Sequence, residues 1–152
     1  MPTRKRKTKK EQLRITGKGI IDIMHHGKPQ GRVNGSIGTK PTVLCENVLE
    51  GDVLKRCMSW LKARRIVCDR NNTGMGDIAG DGRKFRYGIK DAGDIIGCLP
   101  SGIHFEIECK RGTGGSQSLG QQKRMKKVRE SNGVYLIIHG ENELEREMVV
   151  HL

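Results

Sequence analysis

The sequence predicts a small mixed α/β domain preceded by a basic arm, and three observations point there. Apolar residues recur at helical spacing around Val53, a strict two-residue alternation runs from Ile103 to Lys110, and a second helical stretch precedes the apolar run "VYLIIH". Helix, strands, helix and strand in that order suit a small mixed β-sheet flanked by helices. The 152 residues suffice for one modest core, since a chain of this size buries roughly 70% of its unfolded surface. No apolar run is long enough for a membrane span and the N-terminus has no apolar signal segment, so the expectation is an intracellular, cytoplasmic protein without a membrane partner. Cys45, Cys57, Cys68, Cys98 and Cys109 lie far apart with no Cys-x-x-Cys pair. They are expected as small buried hydrophobes, not as a disulfide framework or zinc ribbon.

Each element has its own signal. Residues 1–44 form the arm, opening with "MPTRKRKTKK" and continuing through a glycine-rich stretch in which only "IIDIM" suggests local structure. The domain is expected over 45–152. From Asn47 to Arg64, Val53, Leu54, Cys57, Met58 and Leu61 repeat at three and four residues, which predicts an amphipathic helix. "RIVCDR" reads as a strand, and "NNTGMGDIAGDG" as a long polar loop. "PSG" at 100–102 turns Ile95–Leu99 back onto Ile103–Lys110. Ser118 caps a basic helix that ends before Gly133, "VYLIIH" is a buried strand, and "ENELEREMVVHL" supplies an acidic helix or turn and a closing strand.

Charge placement says more than the net +12: residues 1–44 hold 11 basic and 2 acidic side chains, while 45–152 hold 18 and 15. The excess sits on the arm, either as a solubilising or localisation tail or as a contact to a polyanion such as nucleic acid. Aromatic residues make up only 3%, so base stacking is not the expected mode of binding. His25 and His26 lack a partner at metal-ligand spacing, and His104 and His139 sit in strand patterns with no motif.

The segment "DIIGCLPSGIHFEIECK" concentrates the chemistry. Alternation puts His104, Glu106, Glu108 and Lys110 on one strand face and Ile103, Phe105, Ile107 and Cys109 on the other. One face packs, and the other, exposed, face carries the charges. A hairpin centred near Ser101 sets Asp94 opposite Glu108, with the carboxylates within about 5 to 6 Å. Two acids that close stay ionised around a shared cation, and hard oxygen donors select Mg²⁺. A lysine beside them can hold or help deprotonate a water and offset charge on a phosphoryl transition state. Glu108 and Lys110 alone would also suit an ordinary same-face ion pair.

The pattern Gly93-Asp94, then Glu108-Cys109-Lys110, resembles the PD-(D/E)XK nuclease signature, and the wider pattern over about residues 45–140 is similar to its virus-type replication-repair branch, VRR-NUC. The resemblance implies a restriction-endonuclease-like core and a Mg²⁺-dependent DNA endonuclease, with Mn²⁺ able to substitute and no small-molecule cofactor. It assigns Asp94 and Glu108 as metal ligands, the Cys109 carbonyl as a third, Lys110 as the catalytic lysine and Gln121 as a neighbour in the following helix. Glu50 matches a glutamate of the first helix that helps bind or orient metal, and by sharing a helical face with Leu54, Cys57 and Leu61 it is expected to point inward; Asn47-x-x-Glu50 equally allows a capping box. Glu106 is an auxiliary candidate. Arg70, Asn71 and Asn72 of "RNNTGMG", with Arg86, Tyr87, Lys123 and Lys126, are candidate contacts to nucleic acid, as is Arg124, although each is also compatible with a solvated surface. A homodimer acting on junctions or flaps, in a phage or mobile-element setting, follows from the resemblance; a sequence-specific homing endonuclease is the rival enzyme, and a non-catalytic basic binding module the rival of another class. If the arm contacts phosphates, removing it lowers the slope of log affinity against log salt by about 0.9 per lost contact, measured by DNA binding at several salt concentrations; an unchanged slope rejects the contact.

Overall fold

The structure is a computed structural model and describes residues 34–77, 80 and 82–152. The basic run at the start of the arm, "IIDIM", His25 and His26, and three positions of the glycine-rich loop (78, 79 and 81) lie outside the described residues.

The central sheet has four strands in the order β2 (Val67–Arg70), β5 (Ile95–Cys98), β6 (His104–Cys109) and β8 (Val134–Ile138). β5 is antiparallel to β2 and β6, and β8 runs parallel to β6. Helix α1 (Glu50–Ala63) precedes β2, α2 (Leu119–Glu130) crosses from β6 to β8, and α3 (Glu141–Val149) follows. A parallel neighbour needs such a crossover, because a tight turn can only reverse the chain. Two short ribbons complete the described residues: β1 (Ile37–Gly38) with β7 (Ser116–Gln117), and β3 (Gly74–Asp77) with β4 (Lys84–Tyr87).

The expected hairpin forms in the expected register. Ile95 faces Ile107 and Cys98 faces His104, while the Gly102 amide donates to the Leu99 carbonyl across the turn and Gly102 takes φ 84°. Phe105, Ile107 and Cys109 pack with Val53, Cys57 and Leu61 of α1 and Leu144 and Met148 of α3, all buried. α1 carries Glu50 and Asp52 in its first turn and Lys62 in its last, matched to the helix dipole.

Five expectations are corrected. Of the five cysteines only Cys57 and Cys109 are buried; Cys45 and Cys68 are partly exposed and Cys98 is exposed. The opposite face of β6 is not exposed: Glu106, Glu108 and Lys110 are 0%, 2% and 6% accessible, because α2 carries Gln121 and Arg124 over that face. The glycine-rich loop contains β3, which pairs with β4, since small residues opposite aromatic ones admit a close antiparallel ribbon. No closing strand follows α3, whose helix runs to Val149 and ends in a turn. No Asn47 capping box forms: α1 starts at Glu50 after Leu49, and Asn47 Oδ1 accepts from the Thr113 hydroxyl instead.

The arm's last segment belongs to the folded body. β1 pairs with β7, the Thr42 amide and hydroxyl donate to Glu143 Oε1 at 2.6 and 3.1 Å, and Thr39 Oγ1 lies 3.0 Å from His139 Nε2. His139 and Glu143 are both buried and bonded to each other at 2.8 Å. Burial opposes ionisation of Glu143, yet the His139 and backbone hydrogen bonds hold its pKa below the ordinary value. Hydrogen bonds to a buried charge contribute about 1.5–3 kcal/mol each. Deleting residues 1–44 is therefore expected to lower the melting temperature by roughly 5 °C or more relative to deleting 1–33; equal melting curves for the two truncations would contradict the docking.

Candidate active site

Five elements or their immediate ends deliver one cluster of polar side chains. The Lys110 ammonium, just beyond β6, donates to Glu108 Oε1 at 2.6 Å and to Glu50 Oε1 at 3.2 Å. Gln121 Nε2 donates to the same Glu108 Oε1, and the Tyr135 hydroxyl on β8 lies 3.5 Å from Glu108 Oε2. Asp94, which directly precedes β5, accepts the Cys109 amide on Oδ2 at 2.8 Å. That bond ties Asp94 to the backbone of the strand carrying Glu108, as the hairpin register requires.

The local sequence explains each placement. Gly93 allows the chain to approach β6 so closely that a Cβ there would stand 2.7 Å from the Ile107 carbonyl oxygen. Its amide donates to Glu106 Oε2 at 3.1 Å, which fixes the backbone one residue before Asp94. Gln121 is held at both ends. Its Oε1 accepts the Ser118 amide at 2.8 Å and the Ser118 hydroxyl accepts the Gln121 amide, a complete capping box. The other end of the amide is thereby aimed at Glu108.

Glu50 is the first residue of α1 and its side chain is about half exposed, so it meets Lys110 from the rim and does not point into the core as its helical face suggested. The Cys109 side chain belongs to the core on the opposite face, leaving its backbone as the part that adjoins Asp94. Glu106 is not available as an auxiliary ligand. Arg124 grips both of its oxygens, with Nε 2.9 Å from Oε1, and His104 Nε2 lies 3.0 Å from Oε1. Arg124 is correspondingly turned inward rather than along a nucleic-acid backbone.

Electrostatics separates the acids. Burial first and then the nearby Asp94 charge raise the Glu108 pKa, against the opposing pull of Lys110, to about 7. Burial likewise raises Asp94, against the Cys109 hydrogen bond and Lys110. For Glu106 burial is outweighed by the Arg124 and His104 hydrogen bonds, so its pKa falls. Burial would lower Lys110, but its bond to Glu108 prevails and raises it. Burial also raises Tyr135, which remains a neutral phenol.

A cleft of about 680 Å³ adjoins the cluster, and Asp94 and Gln121 are among the residues that line it. Asn71, Arg86, Tyr87 and Lys90 line its walls. Three of these were candidate contacts in the sequence; Lys90 was not, since nothing local marks it. Arg70 and Asn72 are exposed near the same edge, and Asn71 ties the edge to the chain before Asp94 by paired bonds to the Ile89 amide and carbonyl at 3.0 Å each. Lys123 and Lys126 lie exposed on α2, Lys126 3.6 Å from Glu130, and neither lines the cleft. Tyr135 was missed; its alternation with Ile137 opposite Glu106 and Glu108 in the β6–β8 ladder becomes visible only once the strands are paired.

Comparisons with family models, with curated proteins and with solved structures gave no match. Among the described residues no three His, Cys, Asp or Glu side chains are arranged to hold a metal ion by themselves, and no helix is long and apolar enough to cross a membrane.

Because the Glu108 pKa is raised, its contribution to stability is complete below about pH 4.5 and is lost as pH rises through about 7. Urea unfolding is expected to show stability falling by on the order of 3 kcal/mol between pH 5 and 8. Glu108→Gln is expected to flatten that fall; parallel profiles for the two proteins would refute the assignment.

Proposed function

We propose that the chain is a metal-dependent endonuclease that hydrolyses phosphodiester bonds in DNA, built on a restriction-endonuclease-like core. The observation that carries this reading is the clustering of Asp94, Glu108, Lys110, Glu50 and Gln121, drawn from separate elements, beside a cleft that Asp94 and Gln121 line together with Arg86 and Lys90. The order α1, β2, β5, β6, α2, β8 agrees with the core implied by the PD-(D/E)XK resemblance.

The donor set fits Mg²⁺ on charge and on ligand type. Asp94, Glu108 and Glu50 bring three carboxylates to the single ammonium of Lys110, and a hard cation relieves that excess. Mg²⁺ takes one or two carboxylates and completes its shell with water and substrate oxygens, so it does not require a cluster of three ligating side chains, which the described residues lack. Asp94 and Glu108 would hold the ion with the Cys109 carbonyl, Glu50 would stand at the rim, and Mn²⁺ would substitute. When bound, the ion supplies Lewis-acid polarisation of a phosphoryl oxygen and a more acidic water.

The chain's own groups do the rest. Lys110 enters as an ammonium, because its acidic partners raise its pKa; it donates to a phosphate oxygen and offsets charge developing there, rather than removing a proton. Gln121 fixes the orientation of the Glu108 carboxylate, and the Cys109 amide fixes one oxygen of Asp94. Arg86 and Lys90 attract the DNA backbone without reading its sequence. Two copies acting together would cut both strands of a duplex or junction.

A cleavage panel of duplex, nicked, flap and junction DNA with Mg²⁺ and Mn²⁺ tests the reading. Cutting is expected only with metal, and Glu108→Gln or Lys110→Ala is expected to reduce kcat by about 100-fold or more. Mg²⁺ affinity should rise by up to tenfold per pH unit below about pH 7 and level off above it, as binding displaces the Glu108 proton. Cutting that ignores metal, or that survives Glu108→Gln, would remove this function.

A further inference from the structure

Aromatic side chains are scarce, five in the whole chain, yet two of them lie together on the surface of the β3–β4 ribbon. Phe85 faces Gly76 and Tyr87 faces Gly74 across the pair, on one side of the ribbon. A Cβ on Gly76 would stand 2.7 Å from Phe85 Cε1, and one on Gly74 would collide with the Tyr87 ring. The rings therefore lie across bare backbone, with centroids 6.0 Å apart and planes inclined by 41°. They remain 40% and 48% accessible, whereas Phe105 and Tyr135 are 0% and 1%. A ring serving a core is covered on both sides; these are seated on one.

The surroundings are basic and lead to the cleft. Lys84 and Arg86 alternate with the two rings along β4 and so leave from the ribbon's other face, while Tyr87, Arg86 and Lys90 line the cleft together with Asp94. Of the acids nearby, Asp77 faces Lys84 and accepts the Gly82 amide at 2.9 Å, and Asp91 packs against Gly120 at the start of α2.

We propose that Phe85 and Tyr87 form a stacking platform for unpaired bases, which guides a single-stranded segment of DNA across the ribbon into the cleft. Stacking demands exposed base faces, and only an unpaired tail, flap or fork offers them, since a duplex covers each base with its neighbours. The 6.0 Å between rings exceeds the spacing of roughly 3.4 Å per nucleotide along a duplex strand, so the two rings suit two bases of a stretched strand. Lys90 beside the cleft, with Lys84 and Arg86 on the other face of this narrow two-stranded ribbon, supplies the positive field that accompanies such platforms. The low aromatic content therefore misleads: what matters is that two rings share one basic ribbon. The platform deepens the nuclease reading and rests on it in one respect, that the cleft is where DNA is cut.

Fluorescence anisotropy of the full chain in EDTA, without cutting, tests it on a blunt duplex and on the same duplex bearing a single-stranded tail of about ten nucleotides. The tail is expected to improve affinity by about tenfold or more. Phe85→Leu/Tyr87→Leu retains apolar cover over the glycines but has no π-face, and should bring the tailed-to-blunt ratio close to one. Phe85→Trp/Tyr87→Trp should keep or increase it. A wild-type ratio near one, or a ratio untouched by the leucine pair, overturns the platform; the latter is also the result if the ribbon instead docks a protein. Failures of the two readings are distinguishable: ring-dependent tail preference without metal-dependent cutting removes only the nuclease, and metal-dependent cutting with a ratio near one removes only the platform.

Discussion

The register of β5 against β6 governs where every charged group of the centre of this protein goes. With Ile95 facing Ile107, Asp94 reaches the Cys109 amide, Ile107 and Cys109 enter the core, and Glu106, Glu108 and Lys110 turn to the opposite face. A slip of one residue would exchange the two faces, sending two carboxylates and an ammonium into contact with Val53, Cys57 and Leu61. The turn at Leu99–Gly102 and the close approach at Gly93 therefore hold more than a loop in place. They set the polarity of both sides of the sheet.

That polar face is itself covered, and the covering makes neighbouring acids behave differently. Glu106 and Glu108 stand two residues apart on one strand face, both buried. Arg124 meets Glu106 with a planar fork that satisfies both oxygens, and the carboxylate is held ionised. Glu108 receives one ammonium, shared with Glu50, and lies within the field of Asp94. Its proton affinity rises accordingly. Neighbouring carboxyls whose environments drive their pKa values apart divide their roles: one anchors α2 and the chain before Asp94, and the other remains responsive to a proton.

Much of this was legible locally. The helical repeat around Val53, the alternation through β6, the turn at residues 100–102 and the Ser118 cap are all patterns among residues a few positions apart, and each appears in the structure. Reading failed where the outcome depended on what arrives from elsewhere. Gly74 and Gly76 suggest a loop until Phe85 and Tyr87 lie across them, and Asn47 looks like a cap until Thr113 takes its side chain.

The sequence by itself determined the order of α1, β2, β5, β6, α2 and β8, the division of β6 into an apolar and a charged face, and the register that brings Asp94 beside Glu108's strand, because periodicity and turn chemistry are properties of near neighbours. Tertiary structure alone decided that the charged face is buried, that Arg124 consumes Glu106, that Glu50 reaches Lys110 from 60 positions away, and that Thr42 docks on Glu143 across 101. Those outcomes depend on which helix covers which face. A side chain's partner is chosen by that packing, and no local pattern records it.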